Sequence, residues 1–154
     1  MENPSEVFTQ PWRSAPLDRV SQLPEHWRLA RAAHVDLLLM GMPRVNLLLI
    51  APDAVVRYVL ESLLLDLRDP IARWSAGEPF TLPSPGQSGT LVLRDVHGLM
   101  PADQLQLLDW LELAEGRTQV VSTSSTPLLP RVHSGEFIDT LYYRLNTVCV
   151  DVTR

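Results

Sequence analysis

The chain contains no lysine: all thirteen basic residues among its 154 are arginine. Chemistry that needs a lysine is excluded, including lysine Schiff bases, a lysine general base and the lysine that neutralises phosphate charge in a P-loop. Cysteine is nearly as scarce. Cys149 stands alone, so no internal disulfide forms and no zinc site can use more than one thiolate. It lies in the apolar run Thr147-Val148-Cys149-Val150 and reads as a buried structural thiol in a reducing compartment rather than a reactive one. Long hydrophobic runs are missing too. The most apolar region, Val35 to Ala51, is broken by Asp36, Pro43, Arg44 and Asn46, whereas a membrane span needs roughly 20 apolar residues. The start, Met1 to Glu6, lacks the basic and apolar regions of a signal peptide. A cytoplasmic protein without a membrane contact is expected. There is no basic excess either: the net charge is −5, which gives no footprint for direct DNA binding.

What is present is the composition of a globular domain, 45% apolar and 20% charged, at a length that suits one core. Residues 1–23 hold Pro4, Pro11 and Pro16 and sustain no period, which predicts an irregular arm anchored by Phe8 and Trp12. Residues 24–154 read as the folded unit. Pro24-Glu25 opens a helix in the favoured way, carrying Trp27, Ala30, Arg31 and His34; Leu37–Met40 fits either its end or an extended segment. Asn46-Leu47-Leu48-Leu49-Ile50 is a short apolar run of the kind a central parallel strand shows. Val55, Val56, Val59, Leu60, Leu63 and Leu64 form a helical stripe, ended by Arg68-Asp69-Pro70. Strands are further expected at 71–74, 90–93, 119–122 and 147–152. A helix is expected from Pro101 to Glu115, with its stripe on Leu105, Leu108 and Leu111 or Glu112, and one or two short helices between Thr126 and Asn146. Alternating strands and helices, with apolar rather than alternating strands, predict a three-layer αβα sandwich around a mostly parallel five-stranded sheet.

Several segments carry a resemblance. Gly89-Thr90-Leu91-Val92-Leu93-Arg94-Asp95-Val96 is similar to the GTLFLDEI segment of the AAA+ domain of sigma-54-dependent transcriptional activators. Leu99-Met100-Pro101 and the helix after it resemble that family's next helix. Val120-Val121-Ser122-Thr123-Ser124-Ser125 resembles its VIAATN strand, and Gly135-Glu136-Phe137-Ile138-Asp139-Thr140-Leu141-Tyr142-Tyr143-Arg144-Leu145-Asn146 its GRFREDLYYRLN segment. The likeness runs over about residues 46–151. It implies a P-loop NTPase-like fold and a link to transcription regulation in bacteria.

The same likeness locates the nucleotide positions, and there this chain departs from the pattern. A P-loop, G-x-x-x-x-G-K-[ST], needs glycines so that backbone N–H groups approach the phosphates. The corresponding stretch runs from Ala51 to Tyr58 and has no glycine. Pro52 lacks an N–H, Asp53 adds negative charge, Val55 and Val56 are branched, and Arg57 stands at the lysine position. The acidic pair that holds Mg²⁺ and activates water falls on Arg94 and Asp95, and an arginine repels the metal. The sensor asparagine falls on Ser125. Of two arginines expected near a neighbouring subunit's nucleotide, one falls on Ile138 and the other on Arg144. The sigma-contacting GAFTGA loop has no counterpart in residues 75–89, and neither the helical lid nor a DNA-binding helix-turn-helix follows the fifth strand. The resemblance so read implies a degenerate AAA+ sheet half with no catalytic residue, no bound nucleotide, no cofactor and no metal.

Other chemistry is thin. The histidines are dispersed, and no G-x-S-x-G elbow surrounds Ser122, Ser124 and Ser125. Asp53, Asp95, His97 and Ser124 would share one sheet edge if their strands are adjacent and parallel, which leaves an enzyme of another class as one reading. Weak ATP binding or hydrolysis with altered residues is a second. The expectation adopted is a non-catalytic AAA+-like regulatory module that works through a protein partner, either a further copy in a homo-oligomer or an intact AAA+ activator. Arg144 and Trp110 are its candidate interface residues.

Overall fold

A computed structural model of the chain describes residues 25–39 and 45–152. The expected arm at 1–23, with Phe8 and Trp12, lies outside the described residues, as do the side chains of His26 and His34.

Helix α1 spans Glu25–Leu39, so the helical alternative holds at Leu37–Leu39. Strand β1 (Leu47–Ile50) leads into α2 (Asp53–Leu63) and then β2 (Ile71–Ser75). Strand β3 (Gly89–Arg94), a 3₁₀ turn at Val96–Gly98, α3 (Pro101–Ala114) and β4 (Thr118–Ser124) follow. The chain closes with α4 (Leu129–His133), α5 (Asp139–Leu145) and β5 (Val148–Asp151). The five strands run in the order β2-β3-β4-β1-β5, and every neighbouring pair is parallel.

The apolar run of β1 is explained by its place between two helical layers. Successive side chains alternate between sheet faces. Leu47 and Leu49 pack with α1 and α2 through Ala30, Val55, Val56, Val59 and Leu63. Leu48 and Ile50 pack on the opposite side with Leu107, Leu111, Leu141 and Leu145 of α3 and α5. Both faces are dry, so each β1 leucine contributes on the order of 1.5–3 kcal/mol of transfer free energy. An alternating polar pattern would have placed polar groups in one of these cores.

Helix α3 departs from expectation in its facing. Its buried residues are Gln104, Leu107, Trp110, Leu111 and Ala114, whereas Leu105 is 56% exposed. The helix is apolar on most sides, so spacing alone does not select the inward stripe. Trp110 is therefore corrected from interface candidate to core residue. It is buried, and its Nε1–H donates to the Pro83 carbonyl at 2.7 Å, fastening the proline-rich loop over α3. Gln104 is the one polar member of the buried face and its amide is fully engaged. Nε2 donates to the Leu99 and Glu136 carbonyls, each at 3.0 Å, and Oε1 accepts the Ile138 N–H at 2.9 Å. This clasp holds the segment before α5 against α3, where Phe137 is buried.

Two substitutions test this packing. Gln104→Leu keeps the volume but strands one amide N–H and two carbonyls, so urea denaturation should show a loss of about 3 kcal/mol. Gly89→Ala should cost about 2 kcal/mol or more, because a Cβ there lies 2.4 Å from the Pro70 carbonyl oxygen and Gly89 has φ +150°.

Candidate functional site

The carboxyl ends of β1, β3 and β4 lie side by side, where open parallel sheets usually place ligands. Between β1 and α2 only Ala51 and Pro52 intervene. The Ala51 N–H is committed to the Ser124 carbonyl at 3.0 Å, and the N–H groups of Val55 and Val56 both turn back to the Pro52 carbonyl. Val55 and Val56 are buried in the α1/α2 core. Residues that a P-loop would hold in an arc are here the first turns of a helix. Arg57 is accordingly not at the bend. It is the fifth residue of α2, with its side chain 55% exposed and Nε 4.0 Å from Glu61.

At the end of β3, Arg94 is partly buried and Asp95 follows in the left-handed region with φ 61°. The Asp95 N–H reaches Thr123 Oγ1 at 3.3 Å, while its Oδ1 is buried without a hydrogen-bond partner. Ser125, at the sensor position, is partly buried.

His97 and Ser124 do come together across the adjacent parallel strands, while Asp95 meets Thr123 through its N–H and Asp53 stays exposed at the start of α2. His97 Nδ1 lies 3.1 Å from Ser124 Oγ. Ser124 is fully buried, and its single proton goes to the Thr126 carbonyl at 2.5 Å. A carbonyl can only accept, so His97 must donate through Nδ1–H. A buried serine whose proton is held by a carbonyl and whose histidine neighbour is a donor has no base to activate it. The pair ties the 3₁₀ turn to β4, and Arg131 Nη1 adds a bond to the His97 carbonyl at 3.3 Å. Among the described residues no group of three or more His, Cys, Asp or Glu could hold a metal ion.

Arg144 Nη2 lies 3.7 Å from Glu112 Oε1, with both side chains half-exposed or more. Its carbonyl accepts from Asn46 Nδ2 at 2.9 Å, and Asn46 Oδ1 accepts the Val120 N–H at 2.9 Å. The segment Gly135–Asn146 is thus held by its buried Phe137, Leu141 and Leu145 and by backbone ties.

One grouping went unrecognised in the sequence. Arg57, Arg73 and Arg94 line one cavity of about 160 Å³ between α2 and β2, together with Glu61 and Ser75. The signal was the alternation Ile71, Arg73, Ser75, which gives these residues a common sheet face once 71–75 is known to be a strand.

A family model described as the sigma-54 interaction domain matches residues 65–154. No curated protein matches the chain. Among solved structures, NtrX from Brucella abortus in complex with ATP is similar at 16% identity with a TM-score of 0.55, over 84% of this chain and 35% of that one. The same protein in complex with ADP aligns at 16% identity and a TM-score of 0.52, over 88% of this chain and 35% of that one. At this identity the likeness concerns the fold, an AAA+ arrangement, and the chain spans about a third of the length of these NtrX structures. No helix among the described residues is long and apolar enough to cross a membrane.

Asp95→Gly should raise stability by about 1 kcal/mol in urea denaturation. It relieves the left-handed strain of a non-glycine residue and removes the unpartnered oxygen, against a smaller gain in unfolded-chain entropy.

Proposed function

The chain belongs to the sigma-54 interaction domain family, and from that premise we propose that it is a non-catalytic AAA+-like module that regulates through protein contacts. Residues 24–154 form the AAA+-like unit in this reading. The observation that carries the reading is the two-residue join between β1 and α2. A triphosphate needs several free N–H groups converging on it. Here Ala51, Val55 and Val56 have theirs committed internally, and Pro52 has none. Arg94 supports the same conclusion, because a guanidinium where the family resemblance expects a metal-holding carboxylate repels Mg²⁺.

The partner is a second copy of the chain or an intact AAA+ activator, in the cytoplasm, without direct DNA contact or a cofactor. Arg144 is the contact residue proposed. Its pair with Glu112 is exposed and worth at most about 1 kcal/mol, so exchanging Glu112 for a carboxylate on a partner costs little.

Two measurements test this. Incubation with ATP and Mg²⁺ should release no phosphate above the protein-free background, and in isothermal titration Mg²⁺ should not tighten ATP binding; Mg²⁺-dependent turnover or saturable Mg²⁺-dependent heat would overturn the non-catalytic assignment. Light scattering after size-exclusion should find the chain self-associated or bound to an added AAA+ activator, with Arg144→Glu weakening whichever complex forms. A strict monomer that binds neither would overturn the contact role.

A further inference from the structure

We propose that the cleft between α2 and the edge strand β2 binds a phosphoryl group through Arg57, Arg73 and Arg94. The cleft is distinct from the Ala51–Pro52 bend, and the inference does not depend on the regulatory reading above.

The sheet register brings the three arginines together. Arg73 lies opposite Val92 and Ser75 opposite Arg94 in the β2/β3 pair. Val92 packs in the core on the α1/α2 side, so alternation puts Arg73, Ser75 and Arg94 on that same face. Arg57 comes down to them from α2, with Leu60 of the same helix and Leu64 just past its end forming the apolar wall. Arg73 and Arg94 sit on adjacent parallel strands two register positions apart, a Cα diagonal of roughly 8 Å from strand rise and spacing, which a single tetrahedral oxyanion can bridge with long side chains from each side.

The electrostatics ask for an anion. The chain as a whole carries −5, yet this cleft gathers three guanidinium groups against the single carboxylate of Glu61. Glu61 is 4.0 Å from Arg57. Among the described residues Arg73 and Arg94 enter no ion pair, although Arg94 is partly buried. Arg73 is exposed, whereas Arg94 is a partly desolvated guanidinium without an acceptor, which is unfavourable unless a ligand supplies one. The local surplus of two positive charges matches a phosphate monoester, which carries about −1.5 to −2 at pH 7, better than it matches a single carboxylate. The guanidinium fork is also suited to paired phosphate oxygens. Ser75 adds a hydroxyl to the lining. The volume of about 160 Å³ admits a phosphoryl group.

The test is isothermal titration of the full chain with inorganic phosphate and, separately, phenyl phosphate, at constant ionic strength because exposed charges are screened by salt. Saturable binding is expected. Arg73→Gln and Arg94→Gln should each weaken it by about tenfold, and Glu61→Gln should tighten it by removing the one opposing charge. These positions lie at the rim of the fold, and unchanged thermal melting without phosphate will verify that the variants remain folded. Tighter binding of phenyl phosphate than of inorganic phosphate identifies an organic ester lying along Leu60 and Leu64; equal binding identifies the free ion. Absence of saturable binding for both probes, or affinities in R73Q and R94Q equal to the parent's, would overturn the assignment.

Discussion

The hydrogen bond from the Ala51 N–H to the Ser124 carbonyl sits where the protein's organisation is decided. It closes β1 against β4 at the edge where the chain must turn into α2, and Pro52 then starts the helix at once. A helix that begins this early brings Val55 and Val56 down onto the sheet, where they are buried beside Leu47 and Leu49. Opening the bend to accommodate phosphates would require withdrawing those valines from the core and breaking the Ala51 bond. The stability of the α1/α2 layer and the closure of the bend are therefore one constraint. Nothing comparable restrains the flank of α2 toward β2, and a charged cleft survives there.

The segments that carry the family likeness are largely packing segments. Phe137, Leu141 and Leu145 are buried, Gln104 clasps the backbone at Glu136 and Ile138, and Asn46 ties β1 to β4 and to the end of α5. These interactions hold three layers together whatever the sheet edge does. Most of the departures expected from that likeness fall at that edge: the bend at Ala51–Pro52, Arg94, Asp95 and Ser125. A fold can keep its core and change its edge because the core is bound by close packing, whereas edge residues lie on turns that tolerate replacement.

Much of the fold was legible in the residues. The apolar runs at β1, β3 and β4 located strands buried on both faces, Gly116 marked the end of α3, and the valine stripe of α2 faced the core as its period required, although α2 ends at Leu63, before the Arg68-Asp69-Pro70 break. Helix α3 was misread because leucines surround it: with apolar residues on most sides, spacing does not rank one face over another. Trp110 and Gln104 turned inward for reasons that lie far away in the chain, at Pro83 and at Glu136 and Ile138. The edge was partly legible. Glycine's absence and Pro52 argued against a phosphate cradle, but the placement of Arg57 inside a helix, away from the bend, needed the backbone path.

By itself the sequence determined the two-faced parallel sheet, the absence of lysine and dithiol chemistry, and the lack of glycine where a phosphate loop would need it, because these follow from residue type and local period. Only the tertiary structure decided which face of α3 is buried, that the Ser124 proton is held by a carbonyl, and that Arg57, Arg73 and Arg94 share one cleft. Those outcomes depend on contacts between residues tens of positions apart, and strand register, which no local pattern encodes, sets where such residues meet.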